Sequence, residues 1–258
     1  MQSELKIAMV QKDIVWQDAQ QNRGQLEVLF AEMEAVDLIV LPEMFSTGFS
    51  MRPKSIAETM EGDTVVWMQQ TAQQQNAAVV GSLIIEEERL YYNRLLFVTP
   101  EETIACYDKR HAFTLAGEHK AYTSGTKKLH VTFRGWKICP LICYDLRFPV
   151  WSRNTEQYDV LLYVANWPEP RIQAWNVLLK ARAIENMSYC IGVNRVGIDA
   201  NKHVYSGNSM ALDYAGNERT PFAAHKECIL VASLHKEALH TFRRKLPFLE
   251  DQDHFEID

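Results

Sequence analysis

Three side chains stand directly after apolar runs. Glu43 closes DLIVLPE, Lys109 closes TIACYDK and Cys143 closes WKICPLIC. A carboxylate, an ammonium and a thiol are the parts of nucleophilic catalysis. The carboxylate takes the thiol proton, the sulfur attacks a carbonyl, and the cation meets the charge that develops. Charged groups placed straight after buried strands lie where a sheet delivers side chains to a cleft. Each has a plainer explanation when taken alone. A Glu after a strand is commonly a turn residue, the Lys of Asp108-Lys109-Arg110 a surface residue, and a strand Cys a small core hydrophobe.

The residues around Cys143 favour chemistry. Cys143–Pro149 reads C-Y-D-L-R-F-P. An apolar strand gives way at once to a polar turn, and Pro149 suits a first helical position. A thiol at such a junction is exposed at the sheet edge, and the N–H of Tyr144 is free to point at an oxyanion. Asp145 and Arg147 could pair and hold the turn. Other sites are weaker. Neither His111 nor His119 is oriented by anything local toward Cys143, so a Cys–His pair is a poor alternative. His111, Glu118 and His119 lack the spacing of HExxH or paired CxxC metal sites. No GxGxxG or Walker motif is present, so no nucleotide cofactor is indicated. Cys139 reads as core, and His203, His225 and His240 read as surface residues without partners.

The elements that must position these groups alternate. Lys6–Gln11 and Asp37–Leu41 read as strands around a helix marked by Leu26, Leu29, Phe30 and Met33. A helix over 63–76, capped near Asp63, is followed by strands at 77–85, 90–99 and 103–107. Residues 129–133 and 136–142 pair around Arg134-Gly135. The most apolar strand is 158–164. A helix over 173–187 follows, then strands at 189–196, 210–213 and 228–233. Helices alternating with strands, some joined directly, predict a layered α/β domain with sheets covered by helices.

The chain has 258 residues, 47% hydrophobic and 23% charged, with a net charge of −6. That is globular composition, long enough to bury a core without disulfides or metal. Net acidity argues against nucleic-acid partners and anionic membranes. There is no signal-like apolar segment at the start and no apolar run of membrane-spanning length. Five widely spaced cysteines, an odd number, point to a reducing cytoplasm.

The sequence resembles the nitrilase superfamily of carbon–nitrogen hydrolases. The resemblance rests on L-P-E-M-F at 41–45, Y-D-K-R-H at 107–111 and L-I-C-Y-D-L-R-F-P at 141–149. It is reinforced by V-A-N-W-P at 164–168 and R-A-I-E-N at 182–186. The motifs stand in family order and span essentially the whole chain, which is most similar to the ω-amidase branch. The resemblance implies one domain over residues 1–258, a four-layer α-β-β-α sandwich with a short C-terminal tail from about 246. It implies Glu43 as general base, Lys109 as the cation and Cys143 as nucleophile, with no cofactor and no metal. Glu118, in L-A-G-E-H-K, is the candidate second glutamate.

The implied substrates are small 2-oxo acid ω-amides, and the implied role follows glutamine- or asparagine-dependent transamination, including methionine salvage. Family members commonly dimerise, and the apolar residues of the tail could contribute to an interface. The far carboxylate of such a substrate calls for an Arg or several N–H donors. Arg171 and Arg195 are the candidates, Arg147 being reserved for Asp145. Phe45, Tyr144 and Trp167 are placed by position to line the pocket. The rivals are a deaminated-glutathione amidase, a carbamoylase, a true nitrilase, and a catalytically silent binding module.

Overall fold

Alternation along the strands decides the layering. In the first strand, β1 (Glu4–Gln11), Leu5, Ile7 and Met9 join one buried cluster while Ala8 and Val10 join another. The same split recurs in β2 (Leu38–Val40), β3 (Ala78–Glu87) and β4 (Leu90–Val98). Successive strand residues face opposite ways, so a sheet with two apolar faces must be covered on both. The computed structural model, which describes residues 2–257, shows what covers them.

The remaining strands are β5 (Ile104–Asp108), β6 (Val131–Phe133), β7 (Trp136–Ile142), β8 (Val160–Ala165) and β9 (Tyr189–Asn194). They are followed by β10 (Val196–Ile198), β11 (Val204–Ser206), β12 (Met210–Leu212) and β13 (Cys228–His235). One six-stranded sheet runs β13-β1-β2-β3-β4-β5, and a five-stranded sheet runs β12-β9-β8-β7-β6. The two sheets share the cluster that holds Leu5, Ile7, Val80, Phe97, Ile138 and Leu141. Helices α1 (Ala19–Ala31) and α2 (Asp63–Gln75) cover the outer face of the first sheet through Leu26, Phe30, Trp67 and Met68. After the short helices α3 (Glu118–Ala121) and α4 (Pro149–Ser152), helix α5 (Ile172–Asn186) covers the second sheet. Trp175 and Leu179 press so closely on β9 that a Cβ at Gly192 would lie 2.5 Å from Leu179. This is the expected four-layer α/β sandwich.

The expected strands and helices are present within a few residues of their predicted ends. Gly62, not Asp63, is the N-cap of α2, and Glu58 supplies the cap by accepting from Thr64 N at 2.7 Å. The β6–β7 hairpin turns at Arg134-Gly135, both with positive φ, the geometry of a tight hairpin turn. Two features were not anticipated. The β10–β11 ribbon carries a loop to the cleft rim. Helix α6 (Lys236–Lys245) packs through Leu239 and Phe242, and few apolar residues announce it in a charged segment. No helix among the described residues is long and apolar enough to cross a membrane.

Candidate active site

Strand ends from both sheets meet at one edge. Lys109 follows β5, Glu43 lies just beyond β2, Cys143 follows β7 and Asn166 follows β8. Glu43, Lys109, Cys143 and Asn166 all line a cavity of about 610 Å³. Two backbone positions beside the chemistry sit in the left-handed region, Met44 at φ 44° and Cys143 at φ 43°. Non-glycine residues hold that conformation only where the surroundings impose it. At Cys143 it turns the chain from strand into a 3₁₀ turn at 143–147 and leaves Cys143, 8% exposed, lining the cavity. Pro149 then opens α4.

The polar groups form one buried cluster. Lys109 Nζ donates to Glu43 Oε1 at 2.8 Å and to both oxygens of Glu118 at 3.0 Å. All three side chains are 3% exposed or less. Asn93 Nδ2 bridges the two carboxylates, donating to Glu43 at 2.8 Å and Glu118 at 3.3 Å. Asn166 N donates to the other oxygen of Glu43 at 2.9 Å. Phe113 N donates to Glu118 at 2.5 Å. Glu118 is thus brought to the site with Glu43 and Lys109. Asn93, which helps fix how the carboxylates point, went unmarked in the sequence, and Asn166 was marked only as part of V-A-N-W-P, without a role. An Asn inside the apolar strand LYYNRLLFV was the signal for Asn93.

The electrostatics are uneven. Burial lowers the Lys109 affinity for protons, but Glu118 and Glu43 outweigh it and hold the ammonium above its usual range. Burial raises Glu118 above the ordinary carboxylate range, with Glu43 adding to the rise and Lys109 opposing it. Cys143 is pushed well above the usual thiol range by burial and then by the negative charge of Glu43, with Lys109 opposing. The resting nucleophile is therefore a neutral thiol, and its proton must leave during attack. Lys109 Nζ contacts three carboxylate oxygens, so at rest it contributes positive charge between Glu43 and Glu118. The Tyr144 N–H lies in the first turn of the 3₁₀ segment, where no intrahelical acceptor exists.

Asp145 joins the two halves of the site. Its Oδ2 accepts from Tyr107 O–H at 2.7 Å and Ile142 N at 3.0 Å. Its Oδ1 accepts from His111 N at 3.1 Å and lies 2.8 Å from His111 Nδ1. The segment holding Lys109 is thereby bound to the turn holding Cys143. Asp145→Asn puts donors where acceptors are needed, and we expect it to cost about 2–4 kcal/mol in urea unfolding. It should also lower kcat more than it raises KM. Unfolding and kinetics both equal to wild type would remove Asp145 from this role.

Several sequence expectations are corrected. Asp145 does not pair with Arg147. In a 3₁₀ turn residues two apart face different ways, so Asp145 points inward while Arg147 lies over the Trp167 ring at 5.0 Å and lines the cavity. Arg195 is fully buried away from the cavity, bound to Asp13 at 2.6 Å and to Val196 O at 3.0 Å. Phe45 faces the outer layer, packing on Gly81 and on the Trp67 ring at 5.9 Å. Tyr144, Trp167 and Arg171 do line the cavity. His203 stands at its rim, whereas His225 and His240 have the acidic partners Glu169 and Asp159.

Comparison with known proteins fits this geometry. The sequence profile of the carbon–nitrogen hydrolase family matches residues 6–243. The chain is 44% identical to the ω-amidase YafV of Escherichia coli over 98% of each chain. It is 30% identical to a 2-oxoglutaramate amidase of Bacillus subtilis, covering 95% of this chain and 96% of that one. Among solved structures, the CN-hydrolase superfamily protein XC1258 of Xanthomonas campestris superposes with a TM-score of 0.96 at 38% identity, each chain fully covered.

Proposed function

Given that the chain belongs to the carbon–nitrogen hydrolase family, we propose that it is an ω-amidase. It cleaves the terminal amide of 2-oxo acid ω-amides, 2-oxoglutaramate and 2-oxosuccinamate, to the 2-oxo dicarboxylic acid and ammonia. The observation that carries the chemistry is the buried Glu43–Lys109–Glu118 cluster with Cys143 lining the same cavity as Glu43 and Lys109.

In this reading Glu43 takes the Cys143 proton as sulfur attacks the amide carbon. The oxyanion is met by the Tyr144 N–H and the Lys109 charge. Glu43 returns the proton to nitrogen, the C–N bond breaks, and ammonia leaves a thioester. Glu43 then deprotonates a water that attacks the thioester. Collapse breaks the C–S bond, sulfur regains a proton, and the acid departs. Glu118 holds Lys109 in place and balances its charge. No cofactor or metal takes part. The proposal places the enzyme in the cytoplasm as a homodimer, after glutamine- or asparagine-dependent transamination, including methionine salvage. Five free cysteines support a reducing compartment. Exposed Phe248 and Phe255 in the tail support an interface there.

Ammonia release across a panel of ω-amides, with and without the 2-oxo group, tests the reading. The 2-oxo acid ω-amides should show the highest kcat/KM. Equal or faster turnover of neutral aliphatic amides, carbamoyl compounds or nitriles would reassign the substrate. No turnover of any member would make the chain a binding module. The 610 Å³ cavity has room for a longer tail than a five-carbon acid, so deaminated glutathione belongs in the panel.

A further inference from the structure

Asn194 ends β9, is fully buried, and spends its side chain on two other segments. The β8–β9 ladder stops at the pair Ala165–Asn194. From there the Asn194 side chain takes the part of a strand. Its Oδ1 accepts from Trp167 N at 2.7 Å, and its Nδ2 donates to Trp167 O at 2.9 Å and to Gly207 O at 2.8 Å. A side-chain amide has two donors, and both are committed. The backbone of Asn194 is held in turn by Ser209, whose Oγ accepts from Asn194 N at 3.0 Å and donates to Asn194 O at 3.2 Å. The neighbouring peptide unit is the one that reaches the base. Its carbonyl, Ala165 O, accepts from Arg195 N at 3.4 Å. A trans peptide points its N–H the opposite way, and this one, Asn166 N, donates to Glu43 Oε2 at 2.9 Å. Lys109 and Asn93 hold the other oxygen, Oε1, at 2.8 Å each. Glu43 is thus gripped from both sheets, Oε1 from the side of β4 and β5 and Oε2 from the end of β8.

We infer that Asn194 is a positioning residue for the general base: its clamp on Trp167 aims the Asn166 N–H at Glu43 Oε2 and so sets how the carboxylate meets the Cys143 thiol. This rests on Glu43 being the base of the amidase reading. Without the clamp the backbone at residues 166 and 167 loses its anchor to β9, and Glu43 can turn about its Oε1 contacts. Proton transfer needs the two heavy atoms within about 2.6–3.2 Å of each other, and a misplacement of about 1 Å costs about 100-fold. The fold supplies a matched control. Asn154 is equally buried and grips Tyr158 in the same manner, accepting from Tyr158 N at 2.8 Å and donating to Tyr158 O at 3.1 Å and to Asn186 O at 2.9 Å. It stands before β8, at the end of that strand opposite Asn166.

The test uses full-length Asn194→Ala, with Asn154→Ala as the control and Glu43→Gln as the reference for loss of the base. The readouts are kcat and KM for 2-oxoglutaramate, and the rate at which N-ethylmaleimide alkylates Cys143, followed by peptide mapping. Alkylation needs the thiolate, so its rate reports how well Glu43 takes the proton. Asn194→Ala should lower kcat about 10–100-fold with KM within about threefold, and slow alkylation of Cys143 about tenfold or more. Asn154→Ala should lose a similar amount of stability in urea with both rates unchanged. In the Glu43→Gln background, Asn194→Ala should slow alkylation no further, because it acts through that carboxylate. A purely structural role predicts the opposite signs, since a loosened wall admits the reagent faster and raises KM. Wild-type or faster alkylation by Asn194→Ala, with Glu43→Gln slow, overturns the positioning role while the base reading stands. An equal loss of kcat in Asn154→Ala also counts against it. Wild-type alkylation by Glu43→Gln overturns both. Should Asn194→Ala not fold, Asn194→Ser, too short to grip both Trp167 atoms, carries the same expectations.

Discussion

Cys143→Ala should abolish ammonia release while the protein still folds. The thiol is the only atom in the cleft that can form the thioester, so its removal should cost on the order of 10⁵–10⁶ in kcat, as deletion of a nucleophile from a concerted unit does. The side chain is small, and the left-handed backbone at residue 143 is imposed by the elbow, so the unfolding midpoint should move little. Cys139→Ala is the matched control. Cys139 is four residues earlier, within β7, and fully buried in the core between the sheets. Its loss should leave turnover within about a factor of a few and cost roughly 1 kcal/mol of stability. Near-normal hydrolysis by Cys143→Ala would end the thioester mechanism.

Glu43→Gln and Lys109→Met should each remove several orders of magnitude of activity, for different reasons. The glutamine keeps the shape and the Asn166 contact but cannot take the thiol proton. Because Cys143 rests as a neutral thiol, that proton transfer is obligatory, and it is worth about 10²–10⁴-fold. Lys109→Met leaves Glu43 and Glu118 facing each other, both nearly inaccessible, without their cation. Breaking a buried pair in this way costs about 3–5 kcal/mol, so stability should fall with activity. Protonating one carboxylate removes the repulsion between the two, so the stability loss should shrink as pH falls. A carboxylate with a raised folded pKa stabilises below that pKa and ceases to do so above it. Chemical unfolding of Lys109→Met between pH 7 and pH 5 checks the sign. In the double variant the kinetic losses should not multiply, because the residues act as a unit.

How much of this was legible in the sequence depends on the range of the interaction. The strands were legible from apolar runs, and Glu43, Lys109 and Cys143 stood out because polar groups directly after such runs break the pattern. The Cys143 elbow could be read from its strand, polar turn and Pro149. Glu118 has no such pattern, and it reaches the site through a loop whose path local spacing does not fix. Arg195 misled for the opposite reason. It ends a strand as Lys109 does, but its partner Asp13 is 182 residues away, and only the fold reveals that it points inward. Phe45 is two residues from Glu43, yet the left-handed turn at Met44 sends it to the opposite face. The Asn93 and Asn166 contacts cross between strands and between sheets, which no sequence period encodes.

The most direct test is intact-protein mass spectrometry of enzyme acid-quenched during turnover of 2-oxoglutaramate, followed by peptide mapping. The mechanism predicts an adduct equal in mass to the substrate minus ammonia, on the peptide containing Cys143, removed by neutral hydroxylamine. Turnover with no such adduct under any quench time, or an adduct on a residue other than Cys143, would contradict the account.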